Sequence, residues 1–399
     1  MSHAQAELRN QLQAGAFDIV AVTAFPMNIP VDIEVVGIKR SMSLSACLCE
    51  IETRGGLKGY GFTAITEEEV VASAINEVAG HLIQGECALD TERLWERLTW
   101  TMIPRGQSGY ASHAIAAIDI ALWDIKAKAL GLPLWRLLGG ARSEVPVYTT
   151  FGFSFLGRDE LVEAARHWVA QGNTRLKMTV AAEAMLHRDH KPVNAVIAED
   201  ARRVLAVREA VGDDVEIYID ANCNLDAVHA LQLAQRVEEA RIGFFEEPIM
   251  HNDIRQMADL RQRTSIRIAA GQNEGQAYRF RDMLVQGAVD VVQPNVAITG
   301  GYTQCLKIAG LASAFNVSYA NGGAWPFHNM HIHAGLANGS LVEYHHPAVL
   351  MSRMIYKDLP EARNGKLALP ETPGLGFEPD LDAVRELCKR PSARGRGKG

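Results

Sequence analysis

The chain lacks the features that mark several large classes of protein. No apolar run approaches the roughly 20 residues needed to cross a bilayer, and the N-terminal stretch lacks the apolar core of a secretion signal. The six cysteines are scattered, without the spacing of a zinc site or a disulfide framework. The net charge of −7 argues against a nucleic-acid binder, which needs a basic face. These absences predict a cytoplasmic protein that has neither a membrane nor a nucleic acid as its partner.

What the chain does contain is typical of a globular protein of more than one domain. It has 399 residues, of which 48% are hydrophobic and 22% charged, and these values exclude a disordered or fibrous chain. Over residues 17–140, two runs of alternating polarity are followed by helical patterns, one of them long and rich in alanine. This order predicts an N-terminal α+β domain, which a flexible segment at residues 1–16 precedes.

The pattern changes after Pro146. Eight short β-rich runs alternate with helical stretches over residues 146–360. Parallel strands need crossover helices, and these connections keep one hand, so the alternation predicts a closed α/β barrel. The basic stretch at residues 389–399 is rich in Gly, Pro and Ser, which favours a flexible tail over a nucleic-acid arm.

Polar residues collect at the predicted strand ends, which form the active face of such a barrel. Asp220, Glu246 and Gln272 are spaced 26 residues apart, one βα unit each. Adjacent strands lie about 4.8 Å apart, so their oxygen-bearing side chains converge on one small volume. Two carboxylates and an amide carbonyl suit Mg²⁺, which prefers oxygen ligands and retains several waters. The candidate residues at strand ends are Lys177, Asp220, Glu246, Gln272, Asn295, Asn321 and Glu343.

Two cations lie close together on the second predicted barrel strand. Arg175 and Lys177 are two residues apart, so their side chains face the same way. A second cation beside Lys177 disfavours its charged form and lowers its pKa, and a nearby metal ion acts in the same direction. Because such a lysine can serve as a general base near neutral pH, we predict that role for Lys177.

The chain resembles the enolase superfamily, in its mandelate racemase and muconate lactonizing enzyme branch. The resemblance rests on "AIAAIDIALWDIKAKALGLPLWRLLGG", "YIDAN", "FFEEP", "AAGQN", and "VVQPN" followed by "GG", and it covers residues 17–378. It implies a modified (β/α)7β barrel with an N-terminal capping domain, which residues 365–388 complete. It also implies Mg²⁺-assisted abstraction of the proton α to a carboxylate, a small carboxylate substrate, and a homo-oligomer, either a dimer or an octamer.

Several residues match the pattern of this family by position. Asp220 and Glu246 match the first two metal ligands, and Lys177 matches the catalytic lysine of the K-x-K pair. Arg175 replaces the outer lysine of that pair. Glu343 matches the acid on the last strand that hydrogen-bonds the substrate carboxylate in racemase-like members.

The departures from the pattern are equally specific. Gln272 stands where the third metal ligand is normally a glutamate, and Glu274, on the same face of an extended chain, is an alternative ligand. Asn295 and Asn321 stand at the positions of the Asp–His dyad, and neither side chain exchanges protons near neutrality. His328, which follows the seventh strand, is a candidate replacement for the missing acid.

The missing dyad bears on the reaction. Inverting a carbon centre needs proton donors on both faces, whereas dehydration needs one base and some acid for the departing hydroxyl. The sequence therefore predicts an acid-sugar dehydratase with Lys177 as the base. The alternatives are a racemase, epimerase or cycloisomerase of the same branch, and a relative that binds a metabolite without turning it over.

Overall fold

The structure is a computed structural model that describes residues 3–390. Its N-terminal domain contains a three-stranded antiparallel sheet in the order β1-β2-β3. The strands are β1 (Ile19–Val35), β2 (Ile38–Thr53) and β3 (Lys58–Ala64). The helices are α1 (His3–Gln13), α2 (Glu68–Ser73), α3 (Gly80–Ile83), α4 (Thr91–Met102), α5 (Tyr110–Ala129) and α6 (Leu134–Leu137), with a π-helical turn at Ala74–Ala79 and a 3₁₀ turn at Ile103–Arg105.

The long helix α5 is the centre of this domain, because it packs directly on the sheet. A β-carbon at Gly61 would lie 1.7 Å from the carbonyl oxygen of Ala117, and one at Gly59 would lie 2.3 Å from that of Ala121. The two glycines of β3 therefore allow the helix backbone to contact the strand at a distance that no other residue permits.

The second domain is a barrel. Within residues 3–390 its wall has eight parallel strands, as predicted, and β11 closes the barrel by pairing with β4. On the other side of β11, the Asn321 N–H donates to the carbonyl of Leu341 at 2.9 Å. The strands are β4 (Glu144–Gly152), β5 (Arg175–Thr179), β6 (Glu216–Asp220), β7 (Phe245–Glu246), β8 (Ile268–Ala270), β9 (Val291–Val292), β10 (Ser318–Tyr319) and β11 (Val342–His345).

Helices cover the outside of the barrel, which is why the strands are buried on both faces. A short antiparallel extension, β12 (Ala362–Arg363) and β13 (Lys366–Ala368), pairs with the start of β4. The helices are α7 (Arg158–Ala170), α8 (Val193–Val211), α9 (Ala227–Arg236), α10 (Ile254–Arg263), α11 (Ala277–Val285), α12 (Gly301–Ala314), α13 (Pro326–Gly335) and α14 (His346–Ile355). A last helix, α15 (Leu381–Cys388), packs on α14 and on β1.

An apolar layer fills the barrel below the strand ends. It consists of six buried side chains that lie on barrel strands or next to them. Three of the six, Tyr148, Tyr218 and Phe244, are aromatic. The Tyr218 and Phe244 rings stack with centroids 4.0 Å apart. Because this layer is apolar and buried, polar groups at the strand ends above it are poorly solvated. Its members are Tyr148, Tyr218, Phe244, Ala269, Val291 and Ala320.

Hydrogen bonds connect the two domains near α5 and the start of α12. The buried carboxylate of Asp119 accepts hydrogen bonds from the backbone N–H (3.0 Å) and the hydroxyl (2.6 Å) of Thr303. The Trp95 indole N–H donates to the carbonyl of Gly300 at 3.0 Å. Helices α14 and α15, from the end of the chain, pack against β1 of the N-terminal domain.

Three further expectations concern the two ends of the chain and the crossing of a membrane. The segment predicted to be flexible, residues 1–16, includes the helix His3–Gln13. Most of the predicted basic tail lies outside the described residues. None of the helices in the described part of the chain has both the length and the apolar character needed to cross a bilayer.

Candidate active site

Lys177 lies at the centre of a buried cluster of charges at the carboxyl ends of the barrel strands. Its ammonium nitrogen is 3.0 Å from Asp220 Oδ2, 2.8 Å from Glu246 Oε2 and 2.9 Å from Glu343 Oε1. Each of these four side chains is at most 5% exposed. One cation therefore faces three carboxylates, and the cluster carries an excess of negative charge when all four groups are ionised.

Strand register explains why these residues meet. Asp220 is in register with Glu246 on the neighbouring strand, so the two carboxylates lie side by side. Lys177 is in register with Tyr218, two residues before Asp220, and its long side chain reaches up to the carboxylates. The spacing of one βα unit thus predicted the convergence of Asp220 and Glu246 correctly.

Glu343 reaches the cluster from the other side of β4. The Thr150 hydroxyl donates to Glu343 Oε1, and the Ala324 N–H donates to Glu343 Oε2 at 2.7 Å. Burial raises the pKa of Glu343, but the Lys177 ammonium and these hydrogen bonds outweigh it and hold that pKa below its ordinary value. Glu343 is therefore ionised at neutral pH.

The electrostatics of Lys177 contradict the sequence-based expectation. Burial lowers the pKa of Lys177, but the carboxylates of Asp220, Glu246 and Glu343 outweigh burial and raise it well above its ordinary value. Arg175 takes no part, because its guanidinium pairs with Glu216 at 2.9 Å, at the beginning of the strands. The prediction that Arg175 lowers the pKa of Lys177 is wrong: a shared face does not place two residues at the same depth.

Gln272 lies beside a buried acid that directly follows Glu246. Its amide nitrogen donates to Glu247 Oε2 at 2.9 Å, and the Asn273 amide donates to the same oxygen at 2.7 Å. The other oxygen of Glu247 accepts from the Asn252 amide at 2.9 Å. Burial and the charge of Asp220 raise the pKa of Glu247 to about 7, although these amides oppose the shift.

Glu274, the alternative ligand, is engaged elsewhere. Its carboxylate accepts from Arg279 Nε at 2.9 Å and Nη2 at 3.2 Å. The two residues line a cavity of about 400 Å³ whose wall also includes Gln107 and Ser108 of the N-terminal domain. The structure therefore separates Glu274 from Lys177, and Gln272 is the better-placed candidate.

The two asparagines at the dyad positions brace a loop. The Asn295 amide donates to the carbonyls of Gly322 (2.7 Å) and Gly323 (2.9 Å). The Asn321 amide donates to the Gly322 carbonyl at 2.8 Å, and its own carbonyl accepts from the backbone N–H of Glu343 at 3.0 Å. Both side chains thus hold the Gly322–Gly323 loop in place instead of exchanging protons.

That loop lies against one oxygen of Glu246 and one oxygen of Gln272. A β-carbon at Gly322 would lie 2.9 Å from Glu246 Oε1, and one at Gly323 would lie 3.1 Å from Gln272 Oε1. Glu246 Oε1 is buried and unpaired. An unpaired buried carboxylate oxygen with an amide oxygen against the same loop, at the edge of a negative cluster, fits a cation better than a closed core.

Among the described residues, no group of three or more His, Cys, Asp or Glu side chains could hold a metal ion. At the third ligand position Gln272 supplies an amide in place of a carboxylate. Lys177 also lies between Asp220 and Glu246 at the distances of ion pairs.

The structure does not bring His328 into the cluster. Its ring stacks on Phe62 of β3 with centroids 5.1 Å apart, and its Nε2 lies 3.3 Å from the hydroxyl of Tyr356. Burial lowers the pKa of His328 to about 3. Its position in the contact between the domains does not support the predicted role as the missing acid.

Two polar residues near the cluster were missed from the sequence. Gln293 donates to Glu246 Oε2 at 3.0 Å. His345 follows Glu343 by two residues on β11, and it is in register with Thr150, which is also the register partner of Lys177. The two-residue period of a strand, applied onward from Glu343, would have found His345.

His345 is half-buried and its ring is fixed at one nitrogen. The Ala348 N–H, in the first turn of α14, donates to His345 Nδ1 at 3.4 Å, so the neutral ring carries its proton on Nε2. Burial lowers the pKa of His345, and the charges of Glu343 and Lys177 act on the ring with opposite signs. His345 is therefore a neutral donor beside the cluster.

Comparison with known families matches both domains. Residues 18–139 match the model of the mandelate racemase/muconate lactonizing enzyme N-terminal domain, and residues 160–383 match that of the enolase C-terminal domain-like family. An arabinonate dehydratase of Saccharolobus solfataricus is 32% identical over 335 residues, which cover 82% of this chain and 86% of that protein.

Two solved structures share the fold over almost their whole length. A 3,6-anhydro-D-galactonate cycloisomerase from Zobellia galactanivorans has a TM-score of 0.80 and 29% identity, and the match covers 93% of this chain and 99% of that one. A racemase from Streptomyces coelicolor A3(2) with bound magnesium has a TM-score of 0.83 and 26% identity, with 92% and 99% covered.

Proposed function

Because the chain belongs to the mandelate racemase/muconate lactonizing enzyme family of the enolase superfamily, we propose that it is a magnesium-dependent dehydratase of acid sugars. The observation that carries the proposal is the buried cluster of Lys177, Asp220, Glu246 and Glu343, combined with amides at both dyad positions. The site offers one base, which is sufficient to remove an α-proton and insufficient to invert a centre. The dehydratase relative supports this choice.

Asp220, Glu246 and Gln272 would hold the metal ion. Asp220 and Glu246 are neighbours in register, and the unpaired oxygen of Glu246 and the side-chain oxygen of Gln272 both lie against the Gly322–Gly323 loop. A bound Mg²⁺ would stabilise the negative charge that develops on the substrate carboxylate when the α-proton leaves. The magnesium in a solved racemase of the same fold supports this cofactor.

Lys177 acts as the base once its ammonium has lost its proton. The carboxylates of Asp220 and Glu246 raise its pKa, so these two residues keep Lys177 protonated as long as their charge is not balanced. If Asp220 and Glu246 shared their charge with a divalent cation, they would hold the proton of Lys177 less tightly, and Lys177 would move toward its neutral form.

A single group that accepts and then donates one proton is sufficient for dehydration. Lys177 takes the α-proton, the electron pair of the broken C–H bond forms the new carbon–carbon double bond, and the β-hydroxyl departs. The ammonium of Lys177 returns the proton to that hydroxyl, which leaves as water. We assign to His345, whose Nε2 carries the proton and which is in register with Thr150 beside Lys177, a hydrogen bond that orients the hydroxyl.

A second candidate function is isomerisation. It is favoured by the cycloisomerase among the solved structures of the same fold. Isomerisation leaves the elemental composition of the substrate unchanged, whereas dehydration removes one water. Mass spectrometry of the product therefore separates the two functions directly.

The test is a panel of mono- and diacid sugars, incubated with the protein and Mg²⁺ and followed by mass spectrometry. We expect at least one acid to lose water, and the Lys177→Ala variant to exchange no α-proton in deuterated water. Turnover at the wild-type rate in Lys177→Ala would contradict the proposal. Ligands that stabilise the protein but stay unchanged in mass and isotope content would favour a binding protein instead.

A further inference from the structure

We infer that Glu247 is a positioning residue that turns the carbonyl of Gln272 toward the metal position and supplies, from behind it, the negative charge that Gln272 lacks. The inference rests on the proposed function, because it concerns the same metal site. It explains why an amide stands at a position where a carboxylate is the usual ligand.

The backbone places Glu247 unusually. Neighbouring residues of an extended strand point to opposite faces, so Glu247 should point away from Glu246 and the barrel mouth. Its φ of +41° breaks that alternation, a strained conformation for a residue with a side chain. The side chain of Glu247 is also completely buried. Backbone strain of this kind persists only where the surrounding contacts hold a residue in place, and it is often found at functional sites.

The side chain of Glu247 acts as a hydrogen-bond acceptor for its neighbours. Both of its oxygens accept hydrogen bonds from side-chain amides, which belong to Asn252, Gln272 and Asn273, at 2.7 to 2.9 Å. An ionised carboxylate satisfies this arrangement, since it accepts at both oxygens and donates at neither. In its ionised form Glu247 therefore places a negative charge behind Gln272.

The same contact fixes the orientation of Gln272. With its amide nitrogen bound to Glu247, the opposite oxygen faces the Gly322–Gly323 loop, where Glu246 also leaves an oxygen unpaired. A glutamate at position 272 would bring a carboxylate oxygen to within about 3 Å of Glu247 and the two charges would repel. When all three are ionised, Asp220, Glu246 and Glu247 together supply three negative charges, the number that three carboxylate ligands would supply.

The experiment measures Mg²⁺ affinity of the full-length protein without substrate, by titration calorimetry. Four proteins are compared: wild type, Glu247→Gln, Gln272→Glu, and the charge-exchanged double variant. We expect Glu247→Gln to bind Mg²⁺ about 10- to 100-fold more weakly, as is usual for groups that orient a metal ligand. Gln272→Glu should bind no more tightly than wild type despite its added charge, and the double variant should return to within about threefold of wild type.

Asp259→Asn, which removes an exposed charge from α10, is the control for net charge and should leave the affinity unchanged. The inference is overturned if Glu247→Gln binds Mg²⁺ as wild type does, or if Gln272→Glu alone binds more than tenfold more tightly. If Glu247→Gln does not fold, the Mg²⁺ affinities of Gln272→Glu and of the double variant still test the inference. A wild-type protein that binds no Mg²⁺ would overturn the proposed function as well, and this result is distinct from the others.

Discussion

Lys177 Nζ lies 2.8 Å from one oxygen of Glu246, while the other oxygen of Glu246 is buried and unpaired. The lysine thus satisfies half of a carboxylate whose second half faces the Gly322–Gly323 loop. A cation and the lysine can therefore share Glu246. This arrangement links the stability of the site to its metal content.

Removing the lysine should make the fold depend on the metal. In Lys177→Ala, three buried carboxylates lose their common partner, and the loss of one member of a buried ion pair costs about 3–5 kcal/mol. We expect a lower unfolding temperature without Mg²⁺ and a larger gain on adding Mg²⁺ than in wild type. Thermal unfolding with and without Mg²⁺ measures both. Equal gains in the two proteins would show that Mg²⁺ does not bind at these carboxylates.

His345 and His346 form a matched pair for testing the proposed donor. Asparagine at position 345 still accepts from the Ala348 N–H, because it is a good residue for the start of a helix, but it lacks the imidazole Nε2–H. We expect His345→Asn to lower kcat/KM by roughly 10- to 100-fold, as for one lost hydrogen-bond donor in a desolvated site. In His346→Asn, which changes a ring that packs on Trp168, the change should stay below about threefold. Similar losses in both variants would count against His345.

Two glycines offer a second matched comparison. A β-carbon at Gly322 would lie 2.9 Å from Glu246 Oε1 and 3.2 Å from the β-carbon of Gln293. We expect Gly322→Ala to destabilise the protein by about 1–3 kcal/mol and to weaken Mg²⁺ binding. A β-carbon at Gly310, in α12, meets nothing within 4 Å, so Gly310→Ala should stabilise by up to about 1 kcal/mol. Chemical denaturation of both variants checks the two signs.

The contact between the domains should depend on pH through Asp119. Burial raises the pKa of Asp119 from 3.8 to about 7, so the folded protein binds a proton there more tightly than the unfolded chain does. The stabilisation is complete below pH 3.8 and is lost as the pH rises toward 7. Asp119→Asn should remove this slope, and denaturation curves of both proteins between pH 4 and 8 would show it. Parallel curves for the two proteins would contradict the assignment.

The sequence predicted those parts of the site that depend on period and spacing. The alternation of strands and helices predicts the barrel, and one βα unit between Asp220 and Glu246 predicts their convergence, because parallel strands present their carboxyl ends at one face. The period of two also places Glu343 and His345 on one face of β11. These are local regularities, and the structure obeys them.

Other features of the site could not be predicted, because they depend on the position of a residue along its strand, on the rotation of a helix or on one unusual backbone angle. The periodicity of the sequence contains none of these. Arg175 shares a face with Lys177, but it lies about 6.6 Å lower along the strand and meets Glu216 there. His328 lies on a helix whose rotation about its own axis decides what it contacts, and the helix turns it toward Phe62. Glu247 joins the cluster only because its φ of +41° breaks the alternation of the strand.

Helices α14 and α15 pack against β1, although most of the chain separates them from it. During synthesis from the N-terminus, β1 emerges before the barrel, and its last packing partners, α14 and α15, emerge only after the barrel strands. The N-terminal domain therefore cannot reach its final form until the barrel has been translated. The apolar residues of β1 that α14 and α15 cover stay exposed for that whole interval, so this part of the N-terminal sheet is where a nascent chain would need a chaperone.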